Sequence, residues 1–221
     1  MGGMMLEALT KPNSFFGRKI HEDIEWKTPI AIIALVIVVK ILSSLIVAAG
    51  AIELFENVPI VDGMENFASS MMIIWFVISI FTTIIGTLLW WLFYSALFYI
   101  ISSIFKAEGD FSRVMEFVSY GLLPNIFRSV IEVFYGNKLL LMLENGINDP
   151  TLTTDAMLSD PVMKVVPLLM IIFTLWSGYI WMYGLSYSRN ISVKNAAIAV
   201  AIPVVLSILY TLFEYRIFLM G

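Results

Sequence analysis

Four ionisable side chains stand inside stretches that are otherwise apolar, and their types could support proton or ion transfer. They are Lys40, Glu116, Arg128 and Glu132. If those stretches cross a membrane, each charge is costly and must face a partner or a water-filled cavity. One hypothesis is a polar cavity or proton path, as in a transporter. The other is a set of salt bridges, with Arg128 paired to Glu132 and Lys40 bridging to Glu116 or Glu132.

Three of these residues share one face of a single predicted helix. The residues of this row follow each other at intervals of four: Glu116, Tyr120, Pro124, Arg128 and Glu132. Pro124 removes a backbone hydrogen bond and clashes with the carbonyl of Tyr120, so the helix should break there. Such a break is tolerated at membrane depth only where protein or water satisfies the freed backbone groups.

The residue types that most enzymes and metal sites need are absent or isolated. The chain has no cysteine and one histidine, which excludes thiolate chemistry and disfavours a histidine-based metal centre. It contains no nucleophile elbow, Walker loop or intramembrane-protease motif. A pI of about 5.0 argues against a nucleic-acid partner. We therefore expect a protein without catalytic residues, cofactor or metal.

The composition indicates an integral membrane protein. Hydrophobic residues make up 60% of the 221 positions and charged residues 14%, whereas soluble domains have about 45–50% and about 25%. A chain of this size cannot bury so much apolar surface in its own interior, so lipid must cover the rest.

Five apolar segments are long enough to cross the hydrocarbon core, which takes about 20 residues. They are residues 29–52, 66–105, 114–135, 165–187 and 196–213. The second is best interpreted as one long helix. The basic residues give the orientation: eight lie in the predicted inner segments and three in the outer ones. The expected fold is an all-α polytopic transmembrane bundle of five spans, with a cytoplasmic N-terminus and the third helix broken at Pro124.

Residues 1–28 form a predicted cytoplasmic N-terminal segment, and residues 29–221 form the membrane domain. Phe16, Ile20 and Ile24 recur every four residues, which predicts an amphipathic helix in the inner interface with Trp26 as an anchor. A plain linker is the alternative. An outer loop is expected over residues 136–163, where Asn145-Gly146 and Asp149-Pro150 are turn signals.

Three blocks of residues resemble those of the Yip family, the five-span proteins known in eukaryotes for interacting with Ypt/Rab GTPases. The resemblance is carried by Pro12, Phe15, Phe16, Trp26 and Pro29, then by Gly109, Phe111, Tyr120 and Pro124, and last by Trp176, Gly184, Leu185 and the stretch SRNISVKNAA. It is closest to short, prokaryotic-like members. It implies an all-helical bundle with a cytosolic N-terminus, and it makes Pro12, Phe16, Gly109, Phe111, Tyr120, Pro124, Trp176 and Gly184 motif residues.

The resemblance and the residues together suggest a non-enzymatic protein that organises membrane or binds partners. Its expected contact surfaces are the N-terminal segment and the turn between Lys106 and Arg113. A small-solute or ion transporter or channel built around the broken third helix is the alternative. The expected partners are the lipid bilayer and other membrane or cytosolic proteins. The expected location is a prokaryotic cell membrane, or the Golgi or endoplasmic reticulum membrane if the source is eukaryotic.

Overall fold

The computed structural model describes residues 2–56, 65–146 and 159–216, and this part of the chain is all-helical. Its eight helices are α1 (Gly2–Thr10), α2 (Pro12–Lys19), α3 (Lys27–Glu56), α4 (Glu65–Ser103), α5 (Phe111–Tyr120), α6 (Pro124–Gly146), α7 (Pro161–Ser188) and α8 (Val193–Glu214). The predicted all-α class is confirmed.

Within residues 2–56, 65–146 and 159–216, four helical segments are long and apolar enough to cross a membrane. They are Lys27–Ile52, Ile73–Ser103, Pro161–Ser188 and Val193–Glu214, and they correspond to the first, second, fourth and fifth predicted spans. The third predicted span differs because it is divided between α5 and α6. The chain is therefore a multi-span membrane protein, while the count of five and the orientation remain predictions.

The second apolar segment forms one continuous helix, as its sequence predicts. Helix α4 has 39 residues, which corresponds to about 58 Å at 1.5 Å per residue. It passes through Gly86 without a turn, and the hydroxyl of Thr82, four residues earlier, bonds to the helix carbonyls of Ile78 and Ser79. A helix of this length exceeds the hydrocarbon core of about 30 Å.

Helix α5 lies at the centre of the molecule and contributes to both clusters of buried side chains. In the first cluster, Val114 and Val118 pack with buried residues of α3, α4, α7 and α8. In the second, Phe117 and Tyr120 pack with residues of α1, α2, α3 and α7. Burying one such large apolar side chain contributes about 1.5–3 kcal/mol, so α5 organises the bundle despite having only 10 residues.

The N-terminal helices pack against the bundle through aromatic side chains. Phe16 is fully buried, and Ile20 at the C-cap of α2 packs against the same cluster, but Ile24 lies beyond the helix in non-helical chain. Trp26 is partly exposed and packs edge-on against Trp91 of α4. The row inferred from a period of four is therefore shorter than predicted, because the chain must turn before α3 begins. The cytoplasmic side of this segment remains a prediction.

The predicted outer loop begins later than expected. Helix α6 continues from Pro124 to Gly146, so a loop start at residue 136 is wrong. Gly136 is a packing residue instead: a Cβ there would lie 2.8 Å from a methyl group of Val47 in α3, and small residues permit close helix packing in membranes. Asn145-Gly146 still belongs to α6, and Asp149-Pro150 lies outside the described residues.

Candidate functional site

The third predicted span is broken immediately before Pro124. Helix α5 ends at Tyr120, residues 121–123 form consecutive turns, and Pro124 is the first residue of α6. Pro has no amide proton and its ring excludes the carbonyl four residues earlier, so it can start a helix but not continue one. Residues 116–124 are all buried, so the break lies inside the protein.

Two tryptophans from neighbouring spans bind the backbone of α5 next to the break. The indole N–H of Trp181 donates to the carbonyl of Val118 at 2.8 Å, and that of Trp91 donates to Met115 at 2.9 Å. Gly121 is required beside them, because a Cβ there would overlap the indole nitrogen of Trp181. The irregular backbone is thus satisfied by protein groups, as a break at membrane depth requires.

Glu116 is the centre of a buried charge cluster, the Glu116 cluster. Its side chain is fully buried, and its two oxygens lie 2.6 Å from Arg113 Nη1 and 3.7 Å from Lys19 Nζ. The backbone N–H of Glu25 also donates to it at 3.5 Å. Arg113 donates further to the carbonyl of Glu22 at 2.6 Å. The cluster therefore joins α2, the segment before α3 and α5.

Lys19 brings a second carboxylate to the edge of this cluster. Its side chain is 4% exposed, and its Nζ lies 2.7 Å from Glu22, whose side chain is 60% exposed. The hydrogen bond from Lys19 lowers the pKa of Glu22 below its usual value. Lys19 therefore pairs with two carboxylates, Glu116 in the interior and Glu22 at the surface.

The predicted polar set divides between two places. Arg128 and Glu132 pair at 3.0 Å within α6, with side chains 35% and 44% exposed, as the salt-bridge hypothesis proposes. Half-buried Lys40 of α3 is within electrostatic reach of these two residues. Glu116 pairs with Lys19 and Arg113 instead of Lys40. Of the two carboxylates expected as partners of Lys40, the Glu116 alternative is therefore wrong, whereas Glu132 lies within electrostatic reach. Lys19 comes from a segment that the prediction treated as lying outside the bundle.

Arg189 is a buried cation that the sequence indicated only as a loop charge. It is 3% exposed, and its guanidinium lies 4.1 Å from the ring centroid of Tyr99. It donates to hydroxyls and carbonyls near the end of α4 and before α5: Ser102 Oγ at 3.0 Å, Ser103 Oγ and the Ala107 carbonyl at 3.2 Å, and the Gly109 carbonyl. No spacing rule connects residues so far apart in sequence.

Arg189 holds together two turns at the end of the bundle that we call the inner end, after the predicted orientation. The turn over residues 104–110 joins α4 to α5, and the turn over residues 189–192 joins α7 to α8. Glu108 N–H donates back to the carbonyl of Arg189 at 3.0 Å. Gly109 has φ of 106°, and a Cβ there would overlap the Ser188 carbonyl oxygen, so this contact requires glycine.

An open cleft lies between these two turns and the N-terminal segment. Its volume is about 570 Å³, and residues 20–21, 108–109, 186–188 and 190–191 contribute to its walls. Lys106 and Asn190 in the same turns have positive φ, of 55° and 49°. No group of side chains suited to hold a metal ion occurs in the described ranges. The arrangement can bind a partner through polar and charged groups.

Comparison with known proteins identifies the family. A model of the Yip1 domain matches residues 6–213. The chain belongs to the Yip1 family. Members of this family are generally non-enzymatic membrane proteins. An uncharacterised protein of Methanocaldococcus jannaschii is 30% identical over 129 residues, which are 58% of this chain and 85% of that protein. No solved structure matches the chain.

Seven of the eight residues expected to carry the family motifs gather in two places. Five of them surround α2, where Phe16 packs on Tyr120 and Gly184 and the indole of Trp176 donates to the carbonyl of Leu9; the five are Pro12, Phe16, Tyr120, Trp176 and Gly184. Gly109 lies in the first inner turn, and Phe111 follows it with its ring edge-on to Tyr99. Pro124 begins α6.

Proposed function

We propose that this protein organises membranes by binding partner proteins at the inner end of its bundle, without catalysis. The observation that carries this proposal is the Arg189 network, which fixes two exposed turns against each other. Lys106, Glu108 and Asp110 are exposed on the first turn. A surface held in one conformation loses less entropy on binding and therefore binds partners more tightly.

The predicted orientation supports a cytoplasmic location for this surface. The basic residues Lys106, Arg113, Arg189 and Lys194 lie near the two turns, as the positive-inside rule expects of a cytoplasmic end. The archaeal relative supports a prokaryotic cell membrane as the location. Because the chain has no cysteine, two single-cysteine variants, Asp23→Cys and Lys164→Cys, test the orientation. A membrane-impermeant thiol reagent should label the first from the inside and the second from the outside.

Charge reversal of the exposed turn tests partner binding. The triple variant Lys106→Glu, Glu108→Lys and Asp110→Lys should lose partners that co-purify with the native chain, because it inverts the surface and leaves Arg189 in place. Lys164→Glu at the start of α7 is the control and should retain them. Unchanged partners in the triple variant would contradict the proposal.

A transporter or channel is the second candidate, and one observation favours it. Next to the Arg128–Glu132 pair, the hydroxyl of Ser129 is buried and has no hydrogen-bond partner in the described part of the chain. A buried unpaired hydroxyl near charged groups is typical of a polar path. On this proposal, Glu132→Ala should reduce solute flux in liposomes, whereas flux that persists in both Glu116→Ala and Glu132→Ala would exclude these carboxylates as transport residues.

A further inference from the structure

Helix α2 fills a groove with apolar and aromatic walls. Its side chains Phe15 and Phe16 are 3% and 0% exposed. The walls of the groove come from α3, α5, the break after α5, and α7, and consist of Ile32, Phe117, Tyr120, Leu123 and Ile180. The ring centroid of Phe15 lies 4.9 Å from that of Tyr120, and the ring centroid of Phe16 lies 4.8 Å from that of Phe117.

A buried negative charge closes the end of this groove. Glu116 is fully buried there, and Lys19 in the last turn of α2 approaches it at 3.7 Å. Arg113 binds the other carboxylate oxygen at 2.6 Å. Lys19 thus adds a second cation to a site inside the protein. The groove selects two features of α2: a pair of adjacent aromatic rings and a lysine three residues after the second ring.

Helix α2 has the properties of a bound ligand. An isolated helix of eight residues is unstable in water, so its structure depends on the groove. Non-helical residues separate it from α3. The Tyr120 hydroxyl in the wall is buried and has no hydrogen-bond partner in the described ranges, which weakens the docked state. Polar contacts anchor the other side: Tyr187 donates to Asn13 at 2.8 Å.

We propose that this groove is a recognition site for a short amphipathic helix, and that α2 occupies it as the chain's own ligand. A partner protein would present a helix with the same chemistry, two adjacent aromatic residues followed by a lysine, and would replace α2. The inference goes beyond the proposed function, because it depends on the contacts of α2 and not on the inner turns. Loss of partners after charge reversal at Lys106 would leave it unaffected.

A peptide added to a full-length variant tests recognition. The variant Phe15→Ala, Phe16→Ala, Lys19→Gln weakens α2 and leaves the groove walls intact. In nanodiscs, a fluorescent peptide with the native sequence of residues 5–24 should bind this variant about tenfold or more tightly than it binds the native chain, whose groove is occupied. The same peptide with the three substitutions should not bind. Adding Glu116→Gln to the variant should remove most of the binding.

Two results would overturn the proposal. Equal peptide affinity for the variant and the native chain would show that α2 does not compete for the groove. A native chain that is dimeric and exchanges its N-terminal segment between copies would identify a second copy as the occupant, not a partner protein. Size-exclusion chromatography with light scattering checks both folding and this second result.

Hydrogen exchange on the native sequence provides a test that does not depend on the variant. If α2 undocks alone, amides of residues 13–19 should exchange about tenfold or more faster than those of α5, because only local opening is needed. Glu116→Gln should raise the exchange of α2 more than that of α8, because α2 loses a direct contact and α8 opens only with the bundle. The matched control Glu132→Gln should leave α2 unchanged. Identical exchange of α2 and α5 would overturn the proposal, since α2 would then open only with the whole bundle.

Discussion

The two halves of the broken third span carry carboxylates in one helical row, yet they use them differently. Glu132 in α6 pairs with Arg128, four residues before it, and both side chains are partly exposed. Glu116 in α5 is fully buried and also binds Lys19, which lies 97 positions away in the chain. Spacing predicts the local pair correctly, because a helix brings such residues together by itself. It cannot predict a partner that arrives from another segment.

The difference in burial predicts a difference in energy. An exposed ion pair contributes about 0–1 kcal/mol, because water and salt screen it. Removing one member of a buried pair costs about 3–5 kcal/mol, because the remaining charge stays in a poorly solvated place. We therefore expect the Glu116 cluster to stabilise the junction of α2 with α5, whereas the pair in α6 contributes little to stability.

The largest expected effect is that of neutralising Glu116. Glu116→Gln should lower the free energy of unfolding by about 3 kcal/mol or more, because Lys19 and Arg113 lose their shared counter-charge. Glu132→Gln is the matched control and should change it by less than about 1 kcal/mol. Thermal unfolding of both variants in the same detergent provides the comparison. Equal destabilisation by the two substitutions would show that the different burial of Glu116 and Glu132 causes no difference in their contributions to stability.

A second buried charge provides an independent test of the same contrast. Arg189→Lys retains the positive charge but cannot reach all four acceptors of the guanidinium, so we expect a loss of about 2–3 kcal/mol. Exposed Arg216 is the control, and Arg216→Lys should be nearly neutral. Faster hydrogen exchange confined to residues 104–110 would identify the loss with the inner turn. Stability unchanged in Arg189→Lys would mean that charge alone holds the turns.

The features predicted from sequence are those that depend on local chemistry. Four apolar segments form helices long enough to span, because length and hydropathy decide this without reference to neighbours. The break before Pro124 follows from the covalent structure of proline. The roles of Lys19 and Arg189 could not be predicted, because Lys19 was a basic residue of the predicted interfacial segment and Arg189 one of a predicted loop. Only the fold brings them to Glu116 and to the turn after α4.

A smaller effect is expected at the break between α5 and α6, where the substitution changes the packing and leaves the charges unchanged. Gly121→Ala would place a methyl group on the Trp181 indole, and we expect a loss of about 1–3 kcal/mol from overpacking. A methyl group on Gly86 in α4 would meet no atom within 4 Å, so Gly86→Ala should be neutral or slightly stabilising. Unfolding by thermal scan compares the two. A neutral Gly121→Ala would show that the Trp181 hydrogen bond does not fix the break.

The smallest effect concerns Glu22, which shares Lys19 with Glu116 but lies at the surface. Lys19 lowers the pKa of Glu22 below its usual value of 4.5. A carboxyl group with a lowered pKa in the folded state stabilises the protein above its unfolded pKa, and this contribution disappears as the pH falls through the folded pKa. Because Glu22 is 60% exposed, screening limits the contribution to at most about 1 kcal/mol.

The pH dependence of the stability of Glu22→Gln therefore separates the contribution of Glu22 at the surface from that of buried Glu116. At neutral pH the variant should be slightly less stable than the native chain. The difference should shrink below pH 4.5 and vanish once the pH has fallen through the lowered pKa of Glu22, where the protonated carboxyl no longer attracts Lys19. Unfolding of both proteins at matched pH values measures this difference and cancels the titration of other carboxyls. A difference that persists at low pH would mean that Glu22 stabilises α2 through packing or a neutral hydrogen bond. The electrostatic attraction that positions Lys19 would then come from Glu116 alone.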